Sequence, residues 1–292
     1  MGSSSVEMKV LTIGAGKSLV KRQVLVTNRN TGSAGLLIVQ GLKKHGIPFE
    51  IFERDAGPDA RSRDWSLIIH WASENLQACL EPEYFSRLVD IQCDPYYGKE
   101  VGDFEPFPYK NGETGESMMT IPLAKSHRAT QKKLKAFLRE GQSVHKKLER
   151  SRVNDSGLRT GLDVQFNKKI ARISTTADEV TAIFDDGSTS HGTHIIGADG
   201  AKSSMRTLIC GAEKAGLTPM DITLCNFRTK YTAEQSRYLK YGKDSHPLLN
   251  ICIHERHKIA IMTVPMDMCD LNDPSYWAGF HEHSWQRPRS VD

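Results

Sequence analysis

The chain has 292 residues and a formal net charge of +4; 38% of its residues are hydrophobic and 25% are charged. This composition is typical of a globular protein, and the length allows one large domain or two small ones. No apolar run reaches about 18 residues and the N-terminus lacks the apolar segment of a signal peptide, so we expect no membrane span and no secretion signal.

The cysteines and histidines indicate neither a disulfide framework nor a metal site. Six cysteines are scattered along the chain with no Cys-x-x-Cys pair. In a chain of this length that pattern favours reduced thiols and a cytoplasmic location. The histidine-rich segments 254–257 and 281–283 lack the His-Glu-x-x-His spacing, and their alternating polarity leads us to expect that they face solvent.

The positive charge is concentrated in two short segments. Residues 17–32 carry +4 with no acidic residue, and residues 142–161 carry a net +3, which leaves −3 for the rest of the chain. Because the remaining surface is not basic, we expect no nucleic-acid partner.

The first 55 residues contain the elements of a dinucleotide-binding unit. Residues 8–13 are predicted to form a buried strand, residues 33–42 a helix, and residues 48–54 a second strand that ends in the acidic Glu53. In such a unit the glycines allow a tight turn and the helix N-terminus faces the pyrophosphate. Glu53 would then bind the hydroxyls of the adenosine ribose.

The spacing of this unit is too long as it stands. The glycines would be Gly14, Gly16 and Gly35, but Glu53 lies 39 residues after Gly14, where the fingerprint requires about 20. Removal of residues 17–32 restores the spacing, and that segment matches no part of the unit.

A second segment interrupts the chain in the same way. Residues 142–161 separate a predicted amphipathic helix, 132–139, from a predicted strand, 162–166. Both interrupting segments follow a glycine and end in Thr-Gly, so we interpret them as retained in-frame introns. Two genuine surface insertions are the alternative, since long loops cost little closure entropy. Continuous transcript coverage across both segments would contradict the intron hypothesis.

The second half of the chain is rich in predicted strands. Residues 180–184 and 188–191 flank an Asp-Gly turn and predict a hairpin, followed by a strand at 194–196 and a helix at 203–209. Beyond them, further strands are predicted at 222–229, 249–254, 258–264 and 276–283, with a short helix at 231–239.

One motif carries a family resemblance. From Gly197 to Arg206 the chain reads Gly-Ala-Asp-Gly-x-x-Ser-x-x-Arg. This spacing resembles the second fingerprint of the FAD-dependent aromatic hydroxylases, which are single-component flavoprotein monooxygenases. The segments Phe52–Asp55 and Trp65–Trp71 resemble the fungal branch of that family. The resemblance implies that Asp199 lies over the ribityl chain of FAD and that Gly200 belongs to the same turn; an ordinary strand-end turn is the alternative.

The resemblance also implies other cofactor contacts. Arg54 belongs to the matching segment after the second strand, and Gln131 aligns with a position that the family places near the phosphate or ribityl side of the cofactor. Arg128 is a second candidate for that role, although an ordinary helix start explains both residues. Arg61 or Arg63 could approach the flavin ring or the pyrophosphate, or be loop arginines.

The fold implied by the resemblance is α/β, with a Rossmann-like FAD-binding domain of the GR2 type and an interleaved, mostly antiparallel substrate domain. Residues 1–75 and 115–215 are expected to form the FAD-binding domain. Residues 76–114 and 216–292 are expected to supply substrate-domain elements, incomplete at the C-terminus.

The implied activity is NAD(P)H-dependent hydroxylation of an aromatic or other electron-rich small molecule with O2, in fungal secondary metabolism. The third family motif, Gly-Asp-Ala-Ala-His, does not occur in the chain. We therefore expect weakened FAD binding and leave the activity of this chain open. The alternatives are a nicotinamide-dependent Rossmann oxidoreductase and a non-catalytic truncated product.

Overall fold

The computed structural model describes residues 10–13, 17–21, 24–28, 32–61, 64–69, 72–94, 104–124, 127–140, 161–243, 245–247, 249–268 and 270–286. The chain forms two compact units. Unit 1 comprises Met1–Arg63, Glu74–Ser86 and Gln131–Leu217, and unit 2 comprises Asp64–Ser73, Arg87–Thr130 and Thr218–Asp292. This division differs from the expected domain bounds at four places. Residues 64–73 and 115–130 belong to unit 2, and residues 76–86 and 216–217 belong to unit 1.

Helices and strands are both abundant, which confirms the mixed α/β class. The described strands are β1 (Val10–Ile13), β2 (Lys17–Lys21), β3 (Val24–Asn28), β4 (Phe49–Phe52), β5 (Ser66–Ile69), β6 (Phe104–Asn111), β7 (Ser117–Ala124), β8 (His127–Thr130), β9 (Val164–Gln165), β10 (Ile170–Thr175), β11 (Val180–Phe184), β12 (Thr189–Gly192), β13 (His194–Gly197), β14 (Ile222–Lys230), β15 (Asn250–His254), β16 (Ile259–Asp267) and β17 (Ala278–Gln286). The described α-helices are α1 (Ser33–Lys44), α2 (Ser73–Cys79), α3 (Pro82–Ser86), α4 (Gln131–Glu140), α5 (Ser204–Ala215) and α6 (Ala233–Tyr241).

Unit 1 is built on a six-stranded sheet with the order β2-β3-β13-β1-β4-β9. The pairs from β3 to β9 are parallel, and only the β2–β3 pair is antiparallel. The short apolar strands β1, β4 and β13 are typical of a parallel sheet that is covered on both faces. A separate antiparallel sheet, β10-β11-β12, contains the predicted hairpin, whose Asp-Gly turn has Gly187 at φ +80°.

Residues 17–32 lie between β1 and α1 and add two strands that are not part of the β1–α1–β4 unit. The structure forms β2 and β3 from this segment and adds them to the edge of the sheet, where β3 pairs in parallel with β13. The apolar run Val24-Leu25-Val26 explains the result, because a β-branched apolar segment next to an open sheet edge gains backbone hydrogen bonds by pairing.

The segment 142–161 lies, apart from Gly161, outside the described residues. Its flanks are close together, since the Leu162 backbone N–H donates to the Arg139 carbonyl at 2.8 Å. The end of α4 and the residues before β9 are thus hydrogen-bonded to each other, as expected if residues 142–161 are inserted between two neighbouring positions.

The core of unit 1 lies between the two sheets and α5. Phe52, Phe184, Ile195 and Met205 are each at most 2% exposed and belong to one apolar cluster, in which the Phe52 and Phe184 rings lie 4.7 Å apart. This cluster buries the end of β4 and the strand β13, which precedes the Gly-Ala-Asp-Gly turn. Packing therefore fixes the positions of both strands.

Unit 2 is built on a six-stranded sheet with the order β14-β17-β16-β15-β6-β7, and a two-stranded sheet of β5 and β8. All pairs in the larger sheet are antiparallel except β15–β6. Its core contains Phe107, Leu249, Val264 and Met266. The hairpin β6–β7 was not predicted from the sequence.

In the described part of the chain, no helix is both long enough and apolar enough to cross a bilayer.

Gly279 is required where β17 lies beneath an aromatic ring. A Cβ at this position would lie 2.1 Å from Tyr231 Cε2, and the Tyr231 backbone N–H is anchored to the Trp277 carbonyl at 2.9 Å. We expect Gly279→Ala to lower the free energy of unfolding by about 1–3 kcal/mol because the ring must move. Urea denaturation measures this change. Gly57→Ala is the control, since its Cβ would meet no atom within 4 Å; equal losses in both variants would contradict the assignment.

Candidate functional site

The parallel register of the sheet brings two predicted site segments to one edge. Ile13 at the end of β1 pairs with Phe52 on one side and with Gly197 on the other. The residues that follow these strands, Glu53 and the Ala198-Asp199 turn, therefore lie at the same carboxyl edge, where ligands bind in open parallel sheets. Gly14 and Gly16 lie outside the described residues.

A cleft of about 610 Å³ opens at this edge within unit 1, at the end of β4. The start of α1 lines it through Gly32 and Leu36, and α4 lines it through a longer stretch, from Gln131 to Glu140. Ligand pockets in proteins span about 300–1,000 Å³. The cleft is therefore large enough for part of a nucleotide.

The start of α1 has the geometry of a tight turn. Gly32 is the N-cap residue and has φ +56°, a left-handed conformation that suits glycine. Its carbonyl accepts the Leu36 backbone N–H at 3.0 Å, and Gly35 is buried in the first turn of the helix. Of the predicted glycines, Gly35 is thus placed in the helix start that lines the cleft.

Glu53 lines the cleft directly after β4. Its backbone N–H donates to the Gln165 carbonyl at 2.8 Å, which fixes the main chain, and its carboxylate Oε1 accepts the Asp55 N–H at 3.1 Å. A carboxylate has about four acceptor positions, so it can also accept bonds from ligand hydroxyls. Arg54, the next residue, is not among the described residues that line the cleft.

Asp55 and Arg61 form an ion pair on the loop after β4. Arg61 donates from Nε and Nη2 to the two carboxylate oxygens of Asp55, at 2.7 and 2.9 Å, and these bonds raise the pKa of Arg61. Both side chains line the cleft. The guanidinium of Arg61 is thus held at the cleft by a bidentate pair.

The wall opposite Glu53 is α4, whose position is fixed at its C-terminal end. Three of its last carbonyls accept hydrogen bonds from distant residues: Phe137 from the Tyr84 hydroxyl, Leu138 from the Gln40 amide, and Arg139 from the Leu162 N–H. Because these carbonyls have no partner within the helix, such bonds satisfy them and hold the helix in place.

Four cations of α4 line the cleft, and the sequence analysis assigned none of them; Lys135 and Arg139 are half-buried, whereas Lys132 and Lys133 are exposed. Lys135 and Arg139 line the cleft together with Gln131, and the three residues are spaced four apart, so they share one face of the helix. Burial lowers the pKa of Lys135 to about 8, with Glu53 acting in the opposite direction, and burial also lowers the pKa of Arg139. The sequence contained a signal for this face, because the apolar residues Leu134, Phe137 and Leu138 define the buried side of α4 and leave Lys135 and Arg139 on another side.

Arg128 is not among the described residues that line this cleft. It lies in β8 of unit 2, is 1% exposed, and donates from Nη2 to the Ser66 hydroxyl at 3.2 Å. Burial lowers its pKa to about 10, and the nearby Cys93 and Asp94 oppose that shift. This environment favours a structural role for Arg128 within unit 2.

Asp199 binds the start of α5. Its carboxylate accepts hydrogen bonds from the Ser203 hydroxyl and from the Met205 backbone N–H, the latter at 3.1 Å, while Ser203 Oγ accepts the Arg206 N–H at 2.8 Å. Gly200 has φ +90°, which a residue with a side chain rarely adopts. The Gly-Ala-Asp-Gly turn therefore caps a helix in addition to any contact with a ligand.

The expectation that residues 281–283 face solvent is wrong for His281. This imidazole is half-buried, and its Nε2 and Nδ1 lie 2.7 Å from the Tyr231 hydroxyl and 3.3 Å from the Thr263 hydroxyl. Burial and the neighbouring His283 lower its pKa. Within the described ranges no group of three or more His, Cys, Asp or Glu side chains is arranged to hold a metal ion.

Sequence comparison identifies relatives of the chain. No family model matches it. It is 33% identical over 235 residues to the FAD-dependent monooxygenase cctM of Talaromyces islandicus, a match that covers 80% of this chain and 52% of that protein. It is 30% identical over 258 residues to the FAD-dependent monooxygenase phnB of Penicillium herquei, covering 87% and 57%. This chain is a relative of the fungal FAD-dependent monooxygenases. It spans about half the length of the curated relatives that it matches.

Solved structures of monooxygenases share the fold. The 2,6-dihydroxypyridine-3-hydroxylase of Arthrobacter nicotinovorans superimposes with a TM-score of 0.58 at 14% identity, over 99% of this chain and 59% of that one. HpxO of Klebsiella pneumoniae, solved with FAD and uric acid, gives a TM-score of 0.57 at 17% identity, over 97% and 58%. The family resemblance and the fold class inferred from the sequence are thus confirmed.

The capping role of Asp199 can be measured through stability. We expect Asp199→Ala to lower the free energy of unfolding by about 1–2 kcal/mol, because two hydrogen bonds at the start of α5 are lost. Asp199→Asn, which keeps one acceptor oxygen, should lose less in urea denaturation. Asp178→Ala, at an exposed loop position, is the matched control, and a loss as large as that of Asp199→Ala would contradict the capping role.

Lys135 should make stability depend on pH. Its folded pKa, about 8, lies below the ordinary value of 10.5. The unfolded chain therefore binds more protons between these pH values, and stability should rise with pH in that interval. Lys135→Met should be more stable than the parent chain at pH 7, and the difference should shrink as the pH approaches 10.5. Denaturation at several pH values tests this, with Lys43→Met, at an exposed α1 position, as the matched control.

Proposed function

We propose that this chain carries the FAD-binding part, and elements of the substrate-binding part, of an NAD(P)H-using monooxygenase. Its substrate would be a small aromatic or other electron-rich molecule, oxidised with O2 in fungal secondary metabolism. The names of its relatives, FAD-dependent monooxygenases of fungi, support the activity and the cofactor. The observation that carries the proposal is the cleft at the end of β4, where the acidic Glu53 and cationic side chains of α4 line one pocket of nucleotide size.

The described residues fit the adenosine half of FAD. The cleft combines a helix start, a carboxylate after the second parallel strand, and two half-buried cations on α4 that have no ion-pair partner within 4 Å among the described residues. A helix N-terminus favours a phosphate, and a carboxylate favours ribose hydroxyls. The donor set therefore matches a ribose next to a phosphate.

Each part of the site would have a separate task. Bound FAD would supply hydride acceptance from NAD(P)H and the activation of O2. Glu53 would accept hydrogen bonds from the adenosine ribose and so set the position of the cofactor along the edge of the sheet. The start of α1, with Gly35 in its first turn, would place backbone N–H groups towards the pyrophosphate. No catalytic acid or base is assigned.

The remaining predicted contacts are part of the proposal. Gln131 lines the same cleft as Glu53, which supports a cofactor contact. Asp199 keeps acceptor capacity beyond its two bonds to α5, so contact with the ribityl chain is compatible with its capping role. Gly14, Gly16, Arg54 and Gly200 are carried by the family resemblance alone.

We infer different roles for the two units from their sheets. Unit 1 holds the parallel sheet and the cleft, and we assign FAD binding to it. Unit 2 holds a mostly antiparallel sheet, and we assign substrate-domain elements to it. That sheet also counts against a nicotinamide-dependent Rossmann dehydrogenase, which would continue with strand–helix–strand units. We further infer a cytoplasmic location from the scattered cysteines; those free in the described residues are Cys79, Cys93, Cys210, Cys225 and Cys252.

FAD binding tests the proposal directly. We expect the chain to bind added FAD, with the weakened affinity that the absence of the third family motif from this sequence implies, seen as bound flavin absorbance near roughly 370 and 450 nm. Glu53→Ala should weaken FAD about 10-fold or more, because it removes charge-assisted hydrogen bonds to the ribose. Glu83→Ala, at an exposed α3 position, should bind as the parent chain does. Equal affinity of the two variants would remove Glu53 from the site.

Turnover distinguishes the monooxygenase from its alternatives. With FAD present, a monooxygenase should oxidise NADPH faster when candidate phenols are added, and should form a hydroxylated product with consumption of O2. A dehydrogenase would transfer hydride without O2. A chain that neither binds flavin nor oxidises NADPH would be a non-catalytic product.

A further inference from the structure

The cationic face of α4 is a part of the cleft that neither the family motif nor the sequence analysis assigns. Along this helix, Leu134, Phe137 and Leu138 are buried, at 4% exposure or less. The opposite face carries Lys135 and Arg139, one helical turn apart, and both line the cleft. The burial of the apolar face fixes the rotation of the helix and directs the two cations towards the pocket.

These two cations are half-buried, so they have lost part of their hydration. Neither Lys135 nor Arg139 has an ion-pair partner within 4 Å in the part of the chain that the structure describes. The negative charges of Glu53 and Asp55 raise the pKa of Lys135, and the positive charges of Arg61 and Arg139 lower it. The negative charge of Asp59 raises the pKa of Arg139. Half-buried cations of this kind are stabilised by an anionic ligand.

The two nearest acids also have partners on the loop after β4, and they differ in how far those partners occupy them. The carboxylate of Asp55 is held by Arg61 through two hydrogen bonds, and that of Glu53 accepts the Asp55 backbone N–H. Asp55 is therefore paired with Arg61, whereas Glu53 keeps acceptor positions for ligand hydroxyls, and an anionic ligand in the cleft could pair with Lys135 and Arg139. Glu53 and the half-buried Lys135 and Arg139 line the same cleft, and this combination matches a molecule with hydroxyls next to a phosphate.

We propose that Lys135 and Arg139 form a phosphate-binding pair in the unit 1 cleft and recognise the phosphate of an adenosine nucleotide whose ribose is bound by Glu53. This rests on the proposed nucleotide function of the cleft. The phosphate has two possible sources: the pyrophosphate of FAD, or the 2′-phosphate of NADPH. Arg139 can bind it with two parallel hydrogen bonds, whereas Lys135 acts as a compact charge.

The experiment is a set of calorimetric titrations of the full chain at pH 7 with adenosine, ADP, 2′,5′-ADP and FAD. ADP should bind at least 10-fold more tightly than adenosine. Lys135→Met and Arg139→Met should each weaken ADP about 10–100-fold, as expected for loss of a charge-assisted bond to phosphate. Adenosine affinity should change less than about 2-fold, because only the phosphate contact is removed.

Controls separate a phosphate contact from a fold defect. Lys43→Met removes a lysine of α1 outside the cleft lining and should leave all affinities unchanged. Lys135→Arg keeps the charge and should restore most of the ADP affinity. In the unmodified chain, ADP should protect Lys135 from acetylation, measured by mass spectrometry, while Lys43 stays reactive. This readout requires no substitution.

The outcomes are distinct. Unchanged ADP and FAD affinity in both methionine variants would overturn the phosphate pair and leave the FAD proposal intact. A loss confined to 2′,5′-ADP would assign the pair to the 2′-phosphate of NADPH, and a loss shared by ADP and FAD would assign it to the pyrophosphate. If the chain binds ADP in a way that requires Lys135 but does not bind FAD, the phosphate-binding pair is supported and FAD is refuted as the cofactor. Absence of binding by every nucleotide would overturn both proposals.

Discussion

The parallel pairing of β1 with both β4 and β13 is the constraint on which the rest of unit 1 depends. It aligns Ile13 with Phe52 and with Gly197, so the chain leaves all three strands at the same edge. Glu53 and Asp199 are 146 positions apart in sequence, and only this register brings them to one side of the sheet. The core packing of Phe52 and Ile195 protects the register, because a slip by one residue would move both side chains out of the core.

How much of this could be predicted from the sequence depended on whether the signal was local. The hairpin of β11 and β12, the capped start of α5 and the strand before Glu53 follow from turn residues, caps and short apolar runs, which act within a few positions. The hairpin β6–β7 was missed because Pro106 and Pro108 interrupt its first strand. The structure accommodates them because β15 pairs with β6 only at Tyr109–Asn111, beyond both prolines.

The other features that the sequence analysis missed depend on contacts between residues distant in sequence. The sequence analysis assigned no helix or strand to residues 17–32, but an open sheet edge beside β13 gave the Val24–Asn28 segment a partner. The cations of α4 were overlooked because lysines and arginines four residues apart are also typical of a solvent-exposed helix face. Their relation to a cleft was decided by bonds from Tyr84, Gln40 and Leu162 to the end of that helix, none of which a local pattern shows.

The two interpretations of Asp199, as a cofactor contact and as a helix cap, are not exclusive. An ionised carboxylate accepts at about four positions, and α5 uses two of them, through Ser203 and Met205. Those bonds also fix the direction of the side chain, which lowers the entropic cost of presenting its remaining positions to a ligand. Gly200, with φ +90°, removes the side chain that would otherwise stand at the turn. The capping bonds thus pre-organise the carboxylate, and the spacing from Asp199 to Ser203 and Arg206 serves the fold and the proposed site together.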